Sequence, residues 1–206
     1  MQNFNKKLQN LYQEFLTKHD YQGWWPIKGR YFPKDYSSPK NSEERFEIII
    51  GAILTQNTSW KNVEKSLQNL YENNLINPKA ILSISNESLS DLIKSSGYYN
   101  QKAKKLKTVA EFYLKNKNKI PLREQLLKVW GIGKETADSI LLYAYKHPIF
   151  VIDAYTENVV RSYLNLKTQD YDELQELFYK TLPKDYKLYN EFHALIVAEG
   201  KILNKT

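Results

Sequence analysis

Apolar residues recur along this chain at helical spacing almost without interruption. Between residues 44 and 57, Phe46, Ile49, Ile50, Ile53 and Leu54 leave hardly any polar face, the pattern of a helix buried on all sides. Residues 61–74 place Val63, Leu67, Leu70 and Tyr71 on one stripe. Ser85 or Asn86 can cap a helix ending near Gly97, and Asn100 can cap the next, which carries Ala103, Leu106, Ala110 and Tyr113 on one face. Further helices are predicted over 121–129, 134–146, 154–165, 170–182 and 185–203, with Asp153, Asp170 and Asp185 at N-cap positions. Only Phe150-Val151-Ile152 reads as extended, and it is too short for a sheet. The expected fold is therefore all-α, with a boundary in the loop from Arg30 to Ser42.

One stretch, from Leu126 to Val160, carries most of the chemistry. It reads as a helix, a tight Gly131-Ile132-Gly133 hairpin, a second helix, and an apolar extended return that ends on Asp153. Glycines on either side of an apolar residue let the backbone turn sharply with its N–H groups outward. The second helix starts there, so its unpaired amides and positive dipole end face the same way, an arrangement that holds a phosphate without reading sequence. A helix of about 12 residues rises roughly 18 Å, and six extended residues return about the same distance. That spacing is expected to bring the Asp153 carboxylate back beside the hairpin, and an acid next to a clamped sugar-phosphate suggests chemistry on a nucleotide.

Composition narrows the partners. With 206 residues, 42% of them apolar, the chain can bury a real core as one domain or two small ones. No run approaches a membrane span and the N-terminal residues lack the apolar segment of a signal peptide, so the expected location is cytoplasmic. A net charge of +7 suits a polyanion, although a Lys- and Asn-rich composition alone produces such a charge. There is no cysteine, which excludes disulfides and cysteine-held zinc.

The hairpin and the later Val151-Ile152-Asp153 resemble the helix-hairpin-helix DNA glycosylases of the endonuclease III superfamily. The likeness extends in family order to Leu54-Thr55-Gln56-Asn57-Thr58, to Gly97-Tyr98-Tyr99-Asn100-Gln101-Lys102-Ala103 and to Glu199-Gly200-Lys201. It implies two helical domains with the active-site cleft between them: a terminal domain from residues 1–36 plus 147–206, and a central barrel over 37–146 containing the helix-hairpin-helix at about 121–146. It also implies that Asp153 is the essential acid in cleaving the bond between base and sugar. The roles of cap and catalyst are compatible, because a cap fixes the carboxylate where charge must develop.

The resemblance assigns further roles. The family's strand-cleaving members carry a lysine where this chain has Glu135, and a carboxylate cannot form a Schiff base. The implied enzyme is therefore monofunctional and releases base without cutting the strand. Gly131, Gly133, Lys134 and Thr136 are expected to hold the DNA backbone, Lys134 being either a phosphate contact or solvated. Gln56 stands where relatives fill the gap left by a flipped base, its plainer reading being a polar helix end. The Trp24-Trp25-Pro26 segment, the Gln56 block and the missing cysteines resemble the cluster-free 3-methyladenine glycosylases. Trp24, Trp25 and Trp60, with Glu135, are then the base pocket, whereas ordinary packing is the alternative for each tryptophan. Trp130 is expected to pack between the hairpin helices. The lysines at 102, 104, 105 and 107 either line a phosphate track or form a solvated face.

The physics suits that substrate. Alkylation at a purine ring nitrogen makes the base cationic and a better leaving group. Indole faces attract cations by roughly 0.5–2 kcal/mol, and a damaged base is easier to unstack. The expected function is thus hydrolytic excision of an alkylated purine, 3-methyladenine, by a monomer acting on double-stranded DNA in the nucleoid. Alternatives are a glycosylase for oxidised pyrimidines or mismatched bases, or a non-catalytic helix-hairpin-helix DNA-binding protein. No cofactor is expected: the family's four-cysteine iron–sulfur cluster is excluded, and a monovalent cation held by hairpin carbonyls is the one ion the resemblance allows. Lys201, or polar groups near it, is expected to pin the C-terminal helix in the cluster's place, or simply to cap it. His19, His147 and His193 have no metal-ligand spacing and are assigned no catalytic role.

Overall fold

A computed structural model describes residues 2–116 and 119–204. Among these residues all regular structure is helical, and the one ladder contact is an isolated bridge between Ile27 and Arg30. In chain order the helices are α1 (Gln2–His19), α2 (Ser42–Leu54), α3 (Trp60–Glu72), α4 (Pro78–Ser83), α5 (Asn86–Leu92), a 3-10 turn (Lys94–Ser96), α6 (Tyr99–Asn116), α7 (Arg123–Leu127), α8 (Lys134–Ser139), α9 (Ala154–Leu164), α10 (Tyr171–Thr181) and α11 (Tyr186–Leu203). The chain forms two compact units: Ile27–Arg30 with Ser37–Tyr145, and Met1–Pro26 with Tyr31–Tyr36 and Lys146–Thr206.

In the first of these, α2 is buried from Phe46 to Leu54, as its all-round apolar pattern requires. Asn41 caps it through Glu44 N–H. Lys102 is 1% exposed and donates to Leu54 O at 2.8 Å and Ser96 O at 2.7 Å, so one ammonium caps the ends of α2 and of the 3-10 turn. Burial, aided by the nearby charge of Lys105, pushes this lysine down to about 8. Lys107 caps α4 in the same way through Leu82 O and Ile84 O. Two members of the basic run therefore serve the fold rather than a phosphate track.

Three local expectations need correcting here. Helix α6 starts at Tyr99, so Asn100 lies inside it and not at its cap. The predicted helix over 134–146 is α-helical only to Ser139, and Ile140–Ala144 continues as a buried π-turn. Trp130 is 55% exposed and does not pack between the hairpin helices. An ion pair joins those helices instead: Arg123 on α7 grips the buried Asp138 on α8, Nε to Oδ1 at 2.6 Å and Nη2 to Oδ2 at 2.9 Å.

In the other unit, α1, α9, α10 and α11 pack around Phe15, Phe150, Phe178, Tyr189 and Phe192. Among the described residues, the extended return from Pro148 to Ile152 has no strand partner. Side chains of α10 meet its backbone instead: Gln175 donates to Phe150 O at 2.7 Å, while the Phe150 and Ile152 amides point to the Tyr179 and Tyr171 hydroxyls at 3.4 Å. The Phe150 ring stacks on Phe178 at 3.8 Å between centroids. This fixes the segment that delivers Asp153.

Hydrogen bonds that pin α11 to α1 and α9 gather on Glu199. This buried carboxylate takes Lys18 at 2.9 Å and His19 at 2.6 Å from α1, and the Tyr163 hydroxyl at 2.5 Å from α9. Burial alone would raise its pKa, but the bonds from Lys18, Tyr163 and His19 outweigh it and hold the group at about 2.

Candidate active site

Asp153 ends the extended return and caps α9. Its Oδ1 accepts the Thr156 N–H at 2.7 Å and the Thr156 hydroxyl at 2.9 Å, so the first turn of the helix holds one carboxylate oxygen. The other oxygen, Oδ2, lies 3.5 Å from Nε2 of His193 on α11. The two side chains are only 14% and 10% exposed. Burial on its own would raise the Asp153 pKa, yet His193 and the two Thr156 donors more than compensate and keep it below the usual carboxylate range. The result is a fixed, ionised carboxylate in a largely dry setting, where an electrostatic effect is strongest.

The hairpin belongs to the unit containing α2. Gly131 sits at φ +88°, and a Cβ there would lie 2.5 Å from Cγ of Lys105, so both the turn and the lysine stem demand glycine. Gly133, the N-cap of α8, has φ −93° with open space around it, so its glycine is not a conformational need. It leaves bare, exposed backbone at the head of α8, beside the exposed Lys134 and Glu135. Thr136 is buried, and its hydroxyl accepts from Gln56 Nε2 at 2.9 Å. Gln56 also donates to Gly131 O at 3.0 Å, and its Oε1 accepts from Lys105 at 2.6 Å. Gln56, Gly131 and Thr136 are therefore brought together, joined by Lys105.

The tryptophan segment lies in a loop tied to α11. Glu191, fully buried, accepts the Gln22 N–H with one oxygen and the Tyr36 hydroxyl with the other, both at 2.7 Å. Gly23 O accepts Phe32 N–H at 3.1 Å and closes the loop. Trp25 is buried, and Trp24 packs edge-to-face on it at 5.4 Å and on the 40% exposed Tyr31 at 5.8 Å. Trp60 is the first residue of α3 in the other unit, and its indole N–H donates to Glu64 at 2.9 Å.

His193 was assigned no catalytic role, Lys105 was read only as part of the basic run, and Tyr31 and the Glu191 anchor were not singled out from sequence. The signal for the first and last was there: His193 interrupts the apolar stretch Phe192-His193-Ala194-Leu195-Ile196, and Glu191 directly precedes it. Such positions are buried and must be partnered.

A helix-hairpin-helix, a rigid aspartate at the head of the next helix and an all-helical scaffold define a class of base excision enzymes, and comparison bears this out. Residues 50–184 match the family model of the HhH-GPD superfamily base excision DNA repair proteins. A protein of Methanocaldococcus jannaschii, named provisionally as a DNA repair glycosylase, is 42% identical over 93% of this chain and 86% of its own. The endonuclease III of Thermotoga maritima is 30% identical over 81% of this chain and 79% of its own. Among solved structures, the H. pylori 3-methyladenine DNA glycosylase MagIII, bound to 1,N6-ethenoadenine, superposes with a TM-score of 0.74 at 32% identity, covering 99% of this chain and 97% of that one. A trapped endonuclease III–DNA intermediate shares the fold, with a TM-score of 0.75 at 20% identity over 96% and 86% of the two chains. The chain belongs to the HhH-GPD superfamily and is a DNA glycosylase that binds DNA. Its lack of cysteine rules out the cysteine-held iron–sulfur cluster, and among the described residues no helix is long and apolar enough to cross a membrane.

Proposed function

We propose that this glycosylase is monofunctional and hydrolyses the bond between deoxyribose and an alkylated purine, 3-methyladenine. The observation that carries the reading is the likeness, over nearly the full length of both chains, to a 3-methyladenine DNA glycosylase bound to 1,N6-ethenoadenine. The aromatic group of Trp24, Trp25 and Tyr31 supports it, since indole and phenol faces attract a cationic base.

In this reading the hairpin backbone, with Gly131, Gly133, Lys134 and Thr136, grips the phosphates of a distorted duplex. Gln56 fills the gap left by the flipped nucleotide. Trp24, Trp25, Trp60 and Glu135 surround the base. As the glycosidic bond stretches, the sugar becomes cationic, and Asp153 stabilises it without having to move. The base already carries its positive charge, so it leaves without a general acid, and water completes the hydrolysis. Glu135 supplies no amine, so no Schiff base forms and the strand stays whole. A monovalent cation held by hairpin carbonyls would steady that backbone. The protein acts as a monomer in the cytoplasm, on nucleoid DNA.

Free-base release from duplex DNA carrying 3-methyladenine tests this, with wild type and Asp153→Asn and with strand breaks read before and after alkali. Release by wild type alone, with breaks only after alkali, is expected. Breaks without alkali would refute the role given to Glu135. The kinship with endonuclease III favours a second reading, removal of oxidised pyrimidines or mismatched bases. Trp24→Ala separates the two, because it should harm release of the cationic base far more than of a neutral one.

A further inference from the structure

The two oxygens of Asp153 are not equivalent. Oδ1 is committed to the first turn of α9, where it accepts both Thr156 donors, whereas Oδ2 faces the ring of His193 at 3.5 Å. That distance is a contact rather than a formed hydrogen bond, and half an ångström of closure would make it one. Both partners are rigidly held. His193 follows Phe192, whose ring is fully buried against Phe150, Phe178 and Tyr12. Helices α9 and α11 meet closely where Gly200 replaces any larger residue: a Cβ there would lie 2.8 Å from the Tyr155 side chain, two residues after Asp153. The approach of the helices that carry the two groups is thus fixed by packing, not by the contact itself.

We propose that His193 is a positioning residue for the reaction, its Nε2–H holding Oδ2 of Asp153 while α9 holds Oδ1. This rests on reading Asp153 as the group that stabilises the sugar cation. An Nε2–H donor suits the task, because it orients the carboxylate oxygen that Thr156 does not hold. A carboxylate held at only one oxygen can rotate about its Cβ–Cγ bond or draw a water to the other, and either response weakens it when charge develops.

Three variants of the full chain test the idea. His193→Gln can place an amide nitrogen where Nε2 stands, His193→Asn reaches only the Nδ1 position, and His193→Phe keeps the ring without a donor. Single-turnover base release and Kd are measured on duplex DNA methylated to carry 3-methyladenine. Phe and Asn are expected to slow release by roughly 10–100-fold with Kd within about two-fold of wild type, and Gln to stay within about three-fold. Equal rates in all three variants, whether all slow or all normal, would overturn the proposal. A second measurement needs no substrate: long-range proton–nitrogen NMR of His193 in the free protein. The Nε2–H tautomer is expected, with its ring nitrogens shifted by Asp153→Asn, and no response there would also overturn the proposal. Failure of wild type to release the methylated base would sink the 3-methyladenine reading alone, because the NMR measurement still judges the contact.

Discussion

Lys105 donates to Gln56 across 2.6 Å, and Gln56 in turn donates to the hairpin at Gly131 O and Thr136 Oγ1. The carboxamide is thereby oriented, with its oxygen toward the ammonium and its nitrogen toward the hairpin. The lysine stem lies against Gly131, so α6, the loop after α2 and the hairpin share one contact. If Gln56 takes the place of a flipped base, Lys105 works through it. Lys105→Met and Gln56→Ala should then be non-additive: the double variant should release base no more slowly than the worse single one, giving a coupling of roughly 0.5–3 kcal/mol in a double-mutant cycle. Additive losses would mean that Lys105 meets DNA on its own account.

The two hairpin glycines should respond differently to alanine. Gly131 has a positive φ and no room for Cβ beside the Lys105 stem, so Gly131→Ala is expected to destabilise the fold by roughly 1–3 kcal/mol. Gly133 has an ordinary φ and open space, and Gly133→Ala should cost less than about 1 kcal/mol. Its effect should fall on DNA affinity instead, because the methyl group would stand on exposed backbone at the head of α8. Urea unfolding and duplex binding of both variants separate stability from grip. Equal destabilisation would contradict the geometry.

Removing the buried ammonium of Lys102 leaves two carbonyls without a donor, one at the end of α2 and one in the 3-10 turn. Lys102→Met keeps the stem and loses both bonds. A loss of roughly 2–4 kcal/mol is expected, or about 5–10 °C in Tm by scanning calorimetry. An unchanged Tm would show that the two Lys102 bonds contribute nothing to stability.

These variants also mark where sequence stopped informing. Repeating apolar positions located α2, α3, α6, α9, α10 and α11 to within a few residues, because periodicity records which face is buried. Asp153, Asp170 and Asp185 do cap their helices, since capping depends only on local spacing. The π-turn at Ile140–Ala144 was invisible, because five apolar residues look alike however they are wound. Lys102, Lys105 and Lys107 looked like one charged face, but Lys102 reaches back 48 residues to Leu54, Lys105 49 residues to Gln56, and Lys107 25 and 23 residues to Leu82 and Ile84. The contact of His193 with Asp153 spans 40 positions and has no local signature. Long-range polar pairing is a property of the packed fold, and it is where most of the site's fine structure resides.

Glu199 gives the fold a pH dependence whose sign can be worked out. Its carboxyl lies at about 2 in the folded protein, against an ordinary 4.5. A group with a depressed folded pKa adds stability that is complete above the unfolded value and lost as pH falls through the folded one. The window is therefore from about pH 4.5 down to about pH 2, and the lost contribution is roughly 3 kcal/mol on an order-of-magnitude reckoning. Other carboxylates titrate in the same range, so the informative quantity is the difference between wild type and Glu199→Gln. The glutamine keeps the shape but cannot hold Lys18, His19 and Tyr163 with a full charge. Urea midpoints should lie well apart at pH 7, converge between pH 4.5 and 2, and meet only below pH 2, where the wild-type side chain is itself neutral. A gap that stayed constant down to pH 2 would mean that packing, not charge, is what the Glu199 cluster contributes to the α1–α9–α11 junction.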